Sequence, residues 1–314
     1  MNQEAVVSIK EGTTNPIPIR KGVRQGCLLS PALFNAYSER MMEQALSGNN
    51  KGIWINGERI NTIKFADDQA IIAGSARALQ TMLNKIQETT KRFGMKINIG
   101  KTKTMVIEKD KRKLEIEIGG KKIEKVQWFK YLGQIITEDA RNEREVRARI
   151  AMAKKAFRDK QRMLASKNVD VNTRKRIIRC YIWSIALYGA ETWTLNKREE
   201  SSLEAFEMWC YRKMEKVSWT ERKTNEEVLM RVGEERKIKK IIRQRRLRWL
   251  GHILRHEGTT GRILEGRIQG KRGRGRPRNT FTSQACRDVS VKKYSEMKRM
   301  AWDRGLWRDK IHLL

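Results

Sequence analysis

Along residues 1–137, apolar positions come in short runs broken by glycine, asparagine and lysine, and their spacing switches between two periods. Residues 1–19 read as a short strand and a loop holding Pro16 and Pro18. Phe34, Tyr37, Met41 and Ala45 then repeat at helical spacing, with Ser30 placed as a cap. Pro31 falls at the first helical position, where a missing N–H costs nothing. Residues 52–73 alternate as short strands, and the last two, NTIKFA and QAIIA, predict a hairpin joined at Asp67-Asp68. Ser75 predicts the cap of a second helix with Leu79, Leu83, Ile86 and Phe93 facing inward and Gly94 ending it. Strand-like TKTMVIEK follows, and then at least two strands around Gly119-Gly120 within residues 113–137. Alternation of this kind over residues 20–137 predicts an α+β region, a sheet with helices packed on one face.

From about residue 140 the helical period takes over. Val146, Ile150, Ala153, Phe157 and Leu164 form an apolar stripe on an otherwise charged helix. Further helices are expected near 171–189, 197–217, 224–232 and 235–256, then a Gly- and Arg-rich linker over 257–282 containing Pro277, and a last helix near 283–301. The apolar run IIRCYIWSIALYGA (177–190) is too short to cross a bilayer and contains Arg179, so it reads as a buried helix. The fold class expected is α+β followed by an all-α region.

Composition narrows the partners. A chain of 314 residues can hold one large domain or two ordinary ones. Lys and Arg outnumber Asp and Glu by 69 to 36, a formal net charge of +33. Such a field favours a polyanion, with nucleic acid first because lysine and arginine release counterions from phosphates; an anionic membrane surface is the competing partner. Cys27, Cys180, Cys210 and Cys286 lie far apart with no CxxC, which suits reduced thiols and not a disulfide framework. No secretory signal is seen at Met1.

Against that positive charge, KFADDQAIIAG (64–74) places two adjacent carboxylates between apolar runs. An Asp-Asp turn is common in hairpins and is the plain reading. The neighbours Ile63, Phe65, Ile71 and Ile72 suggest a partly buried setting, in which paired carboxylates repel unless a divalent cation joins them. Mg²⁺ takes few protein carboxylates and fills its other positions with water and phosphate. A two-ion site demands a further carboxylate from another strand.

FADD (65–68), preceded by GVRQGCLLSPALFNAY (22–37) and followed in order by GMKINIGKTKTMVI (94–107) and FKYLGQIIT (129–137), resembles the palm of a reverse transcriptase. More narrowly, the chain is similar to the endonuclease–reverse transcriptase proteins of non-LTR (LINE-type) retrotransposons, whose tails RRLRWLGHILRHEG (245–258) and GKRGRGRPR also resemble. The resemblance implies an RNA-directed DNA polymerase, a nucleotidyltransferase using Mg²⁺ or Mn²⁺, an RNA template, a DNA primer or target and deoxynucleoside triphosphates, with no membrane role and residence in the nucleus. It implies a partial palm with primer grip over 1–137, a helical thumb-like and basic region over 138–256, a linker over 257–282 and a C-terminal helix and tail over 283–314. Asp67 then corresponds to the metal-binding aspartate and Asp68 to its neighbour. Gln25 and Gly26 fall in the segment lining the nucleotide and template pocket. Lys101 matches the lysine that protonates the leaving pyrophosphate, and Tyr131, Leu132 and Gly133 match the primer grip.

The family pattern also places an aspartate in an FxDxxxAFD-type segment upstream of GVRQG. No aspartate precedes Asp67 here, and the only acids before GVRQG are Glu4 and Glu11. The expectation is an N-terminally truncated chain lacking the fingers, with no Mg²⁺-dependent primer extension of its own. The competing reading is a catalytically dead relic that binds nucleic acid.

Basic segments supply that binding. In RKIKKIIRQRRLR (236–248) eight of thirteen residues are Lys or Arg and none is acidic, so Ile238, Ile241, Ile242 and Leu250 are expected inward. A basic face including Arg243, Arg245, Arg246 and Arg248 is then left for phosphates, against the alternative of a merely solvated helix face. RGRGRPR (272–278) holds an AT-hook-like core with Arg274 and Arg276, which suits either an A·T-rich minor groove or a polybasic linker. His252 and His256, four apart on a helix, have zinc-ligand spacing, with Cys286 as the one further candidate. Trp249, Trp302 and Trp307 are candidates for base stacking or for core packing.

Overall fold

The computed structural model describes residues 3–10, 12–19, 22–48, 50–107, 115–256, 258–266 and 279–314. The chain mixes helix and strand, and its contacts divide it into two compact units, Met1–Thr104 with Lys113–Lys125, and Met105–Arg112 with Val126–Leu314.

In the first unit β1 (Gln3–Ala5), β2 (Ser8–Ile9), β3 (Gly12–Thr13) and β4 (Ile17–Ile19) nest as two antiparallel pairs, β2 with β3 and β1 with β4. Pro18, expected in a loop, lies within β4 opposite Glu4; a two-stranded ribbon tolerates it because its outer edge needs no donor. Helix α1 (Ser30–Leu46) starts one residue earlier than expected. Ser30 is inside the helix, and its hydroxyl donates to the Arg24 carbonyl (2.6 Å) instead of capping. Met41, Met42 and Ala45 are buried, whereas Tyr37 stays exposed, edge-on to Phe93. Next come β5 (Ile53–Ile55), β6 (Glu58–Ile60), β7 (Thr62–Phe65) and β8 (Asp68–Ile71), paired as two hairpins.

Helix α2 (Ala76–Arg92) is capped by Ser75, whose Oγ accepts the Ala78 N–H at 3.2 Å, and it buries Leu83 and Ile86. The unit is completed by β9 (Lys103–Thr104), the hairpin of β10 (Glu117–Ile118) and β11 (Lys121–Lys122), and β12 (Glu124–Lys125), which runs parallel to β9. Two apolar clusters hold the unit. One joins α1 to α2 through Met41, Met42 and Ile86; the other joins α2 to β10 through Leu83, Ile116 and Ile118.

The expected single sheet does not form. Among the described residues every strand pairs with one other strand only. Arms of two to four residues are long enough for the ladder set by their own turn, but they offer few bonds to a neighbouring hairpin.

The second unit opens with a hairpin, β13 (Trp128–Tyr131) and β14 (Gln134–Thr137). The apolar stripe predicted from residue 146 lies on α3 (Glu143–Asp159) and the single turn α4 (Gln161–Leu164), with Phe157 and Leu164 fully buried. The helix expected over 171–189 is broken into α5 (Val171–Ile177), a wide π-type turn over Ile178–Ile182, and α6 (Trp183–Ala186). Gly189 ends this segment at φ +70°, where a Cβ would lie 1.5 Å from the Gln134 side-chain amide, so the hairpin packs against bare backbone.

Helix α7 (Lys197–Met214) has an Asn196–Glu199 capping box, and α8 (Asn225–Val232) a Thr224–Glu227 one. After α9 (Ile238–Arg255), residues expected to be linker form α10 (Thr259–Glu265). The single helix expected near 283–301 is two, α11 (Phe281–Asp288) and α12 (Tyr294–Trp302), and the tail expected after it holds a third, α13 (Arg304–Leu313). The breaks come at Ser290, which takes φ +61°, and at Asp303, whose carboxylate accepts the Leu306 N–H and so starts a new helix. Phe157, Ile182, Trp183, Trp193 and Phe206 centre a large core; Leu247, Leu250, Met297 and Trp307 centre a second.

Candidate functional site

The Asp67-Asp68 pair stands at the tip of the β7–β8 hairpin. Phe65 pairs with Asp68 across a two-residue turn of Ala66 and Asp67, so Asp67 belongs to the turn and Asp68 opens the returning strand. Ala66 takes φ +52°, a conformation that hairpin turns ordinarily assign to Gly or Asn. Both carboxylates are exposed, and so are Ile63 and Phe65, at 47% and 62%. The partly buried setting expected from the flanking residues is therefore corrected. With two-residue periodicity, Ile63 and Phe65 share the outward face of β7.

Two contacts on the other side fix the hairpin to α1. Lys64 Nζ pairs with Glu39 at 2.6 Å, and Gln69 Nε2 donates to the buried Ser38 hydroxyl at 3.2 Å. Sequence reasoning passed over these four residues. The one signal available was the polar Ser38-Glu39 pair interrupting the apolar face of α1.

Gln25 and Gly26 lie in the exposed turn that leads directly into α1. Gly26 has φ +87°, and no atom lies within 4 Å of where a Cβ would stand, so its backbone is open to approach from outside. Beside it, the Cys27 thiol is held below its ordinary range by the Leu29 backbone N–H and then by the hydroxyl and N–H of Ser30. Lys101 is exposed in a turn shaped by Asn98, whose Oδ1 accepts the Lys101 N–H at 3.1 Å. Ile97 and Ile99, just before that turn, pack in the same apolar clusters as Ile71 of β8. So α1 and these clusters give one support to Gln25, Gly26, the Asp67-Asp68 hairpin and Lys101.

Two adjacent carboxylates fit part of the oxygen set a divalent ion needs, the remainder coming from water and phosphate. Among the described residues no group of three or more His, Cys, Asp or Glu side chains converges, so the third carboxylate of a two-ion centre is not among them.

Tyr131, Leu132 and Gly133 turn the β13–β14 hairpin in the second unit. Leu132 and Gly133 take φ +47° and +80°, the paired left-handed geometry of a tight hairpin turn. The Tyr188 hydroxyl donates to the Leu132 carbonyl at 3.1 Å, and Arg149 donates to the Gly133 carbonyl. Arg149 also lies 4.3 Å from the Tyr188 ring centre and pairs with the buried Glu145 at 2.6 Å, while Glu145 accepts the Ile135 N–H. These residues, silent in the sequence, hold the turn rigidly.

The basic run on α9 differs most from expectation. Arg246 is buried, with its guanidinium on Asp288 and on the Trp193 carbonyl. Arg243 also pairs with Asp288, and Arg245 donates to the Leu187 carbonyl. Lys239 meets Glu200 and Glu204, Arg236 meets Glu226, and Lys237 meets Glu234. The run has no acids of its own; α7, α8 and α11 and the segment before α9 supply them from elsewhere in the chain. Arg248 remains exposed. Arg274 and Arg276, with the AT-hook-like core, lie outside the described residues.

His252 and His256 pack ring to ring, centroids 4.3 Å apart, but Cys286 is buried with its thiol toward Met297, so the three do not make a zinc site. Trp307 is buried, Trp249 packs edge-on to Phe281, and Trp302 is exposed. Among the described residues no helix is long and apolar enough to cross a membrane.

Residues 2–136 match the family described as reverse transcriptase (RNA-dependent DNA polymerase). A transposon-derived protein of Caenorhabditis elegans is 26% identical over 214 residues, covering 65% of this chain and 75% of that protein. The Pol polyprotein of the type-1 retrotransposable element R2 of Nasonia vitripennis is 29% identical over 127 residues, 37% of this chain. That of Popillia japonica is 35% identical over 89 residues, 28% of this chain. The matched stretch spans 12% of each of these two polyproteins.

Proposed function

We propose that this chain, whose residues 2–136 match the reverse transcriptase family and which is similar in part to Pol polyproteins of R2 retrotransposable elements, is the palm-and-thumb portion of an RNA-directed DNA polymerase of a non-LTR retrotransposon. The observation that carries this is the hairpin tip, where two exposed carboxylates stand on a turn pinned to α1, the helix that Gln25 and Gly26 lead into. In this reading residues 1–137 form a partial palm with its primer grip, residues 138–256 the thumb-like region, and residues 283–314 a helical C-terminal region.

Asp67, with Asp68 beside it, would hold Mg²⁺ or Mn²⁺, which when bound neutralises phosphate charge at the primer end. Lys101 is exposed and cationic, suited to giving a proton to a departing pyrophosphate. Gln25 and Gly26 present open backbone to a template base pair. The clamped turn at Leu132 and Gly133 is built to hold a strand end in one position. RNA template, DNA primer and deoxynucleoside triphosphates are the partners, and the nucleus is the compartment where such a primer is met. The relic reading shares the nucleic-acid binding without the chemistry; in its favour, no third carboxylate joins the pair among the described residues.

A primer–template carrying a photoreactive nucleotide at the primer 3′ end separates the two. Crosslinks mapped to residues 64–71 and 128–137 are the outcome expected of a polymerase portion. Crosslinks confined to the C-terminal helices would leave only the relic.

A further inference from the structure

Five of the eight cations in residues 236–248 meet carboxylates supplied from outside that run, but at the C-terminal end of α9 the pattern stops. There α9 and α13 enclose an open cavity of about 430 Å³. Arg248, His252 and Arg255 line it from α9, and Arg304, Arg308 and His312 from α13. The spacings, three to four residues apart on each helix, put these side chains on facing stripes. No Asp or Glu is among the described lining residues. Of the described acids on or next to α13, Asp303 caps the helix through the Leu306 N–H, and Asp309 lies 4.0 Å from Arg308 with both side chains largely exposed.

The cavity is also rigid. Its floor is Trp307, whose indole N–H donates to the Leu247 carbonyl at 2.9 Å and which lies close against Gly251. Arg255 is braced on the Ala301 carbonyl at 2.6 Å. Burial and then the neighbouring Arg304 charge hold the Arg255 guanidinium below its ordinary range. Four guanidinium groups around one cavity, faced only by the largely exposed Asp309 among the described acids, repel one another, and a bound anion removes that repulsion. Arginine's fork of donors matches phosphate oxygens better than a point charge does.

We propose that this cavity binds the phosphate groups of a nucleic-acid strand. The site is separate from the hairpin carboxylates and does not rest on the polymerase reading: a chain that never extends a primer can still hold phosphates here. The net charge of +33 points to a long polyanion and not to an isolated anion as the occupant.

The test uses the full chain and a fluorescein-labelled single-stranded oligonucleotide, with binding followed by anisotropy across a salt series. The double variant Arg304→Gln/Arg308→Gln is compared with Lys155→Gln/Arg158→Gln, which removes equal charge from the exposed side of α3. Circular dichroism melting confirms that both remain folded. Loss of two phosphate contacts should flatten the slope of log affinity against log salt by about 1.4 and weaken binding roughly tenfold at low salt, whereas the α3 pair leaves the slope near wild type. Arg304→Lys/Arg308→Lys keeps the charge and should recover most of the slope. Equal changes in the two Gln pairs, or no change in either, overturns the proposal. So does loss of pyrophosphate binding, or of binding to vesicles containing phosphatidylserine, with oligonucleotide binding unaltered.

Discussion

In the first unit the charged residues of interest stand in water. Asp67, Asp68 and Lys101 are exposed, and the ion pairs Lys64–Glu39 and Lys103–Glu124 each include a carboxylate side chain more than half exposed. In the second unit carboxylates are taken inside. Glu145 and Glu207 are buried, and the side chains of Glu234 and Asp288 retain 5% and 9% of their exposure. The first arrangement keeps groups exposed to water and contributes little to stability. The second uses charge to fix helices against one another, since a buried carboxylate is tolerated only when fully paired. One chain thus leaves the same residue types exposed in one region and uses them as fasteners in the other. Only burial tells the two uses apart.

Truncation of the large core should separate the regions most strongly. Phe157→Ala, fully buried in the second unit, is expected to cost about 3–5 kcal/mol in urea unfolding. A loss below about 1 kcal/mol would mean that this core is not close-packed.

Next in size is Glu234→Gln. Glu234 receives Arg179, Lys175 and Lys237. Burial pushes its carboxyl up, but the Lys237 hydrogen bond and the three cations outweigh that and hold it below the ordinary range. Removing the charge strands the buried Lys175 ammonium, while Arg179 and Lys237 can turn to water, so a loss of about 3 kcal/mol is expected at pH 7. With a depressed folded pKa, the stabilisation is present above the unfolded value of about 4.3 and is lost as pH falls through the folded one. The difference between wild type and variant should therefore shrink on acidification.

Glu207 has the opposite sign. Burial raises it, despite the N–H groups of Lys237 and Ile238 that it accepts. Its contribution favours the folded state below about pH 4.3 and is lost as pH rises through the raised value. Glu207→Gln should consequently flatten the decline of stability on the alkaline side of about pH 4.3, where Glu234→Gln has its full cost. Parallel stability–pH curves for the two variants would contradict both assignments.

Gly251→Ala comes third, at about 1–3 kcal/mol, because the new methyl would meet the Trp307 indole at 2.2 Å. The smallest effects belong to the exposed hairpin. Ala66→Gly should stabilise by up to about 1 kcal/mol by relieving the positive φ. Asp67→Asn should change stability by less than about 0.5 kcal/mol. If Asp67 holds a divalent ion, the same substitution should nonetheless abolish Fe²⁺-directed backbone cleavage near residue 67. Persistence of that cleavage would place the ion elsewhere.

The local features were largely legible in the residues. The Ser75 cap, the turn at Gly119-Gly120, the hairpin around Asp67-Asp68 and the stripe from Val146 to Leu164 each depend on contacts within a few positions, which periodicity and turn chemistry report directly. The ordered motifs around FADD pointed to the reverse transcriptase family for the same reason: their order and residue types are properties of the chain itself.

What escaped depended on neighbours distant along the chain. RKIKKIIRQRRLR contains no acid, yet Asp288, Glu200 and Glu226 reach its cations, because a helix face meets whatever the fold packs beside it. Arg149 and Tyr188, 16 and 56 residues from the carbonyls they hold, carried no local mark of that role. The amino-acid sequence by itself determined the hairpins, most helices and the resemblance over residues 2–136, since these are set by short-range sterics and pattern. The tertiary structure alone decided which charges are buried fasteners and which stand exposed, since pairing and desolvation are set by distance in space and not by separation along the chain.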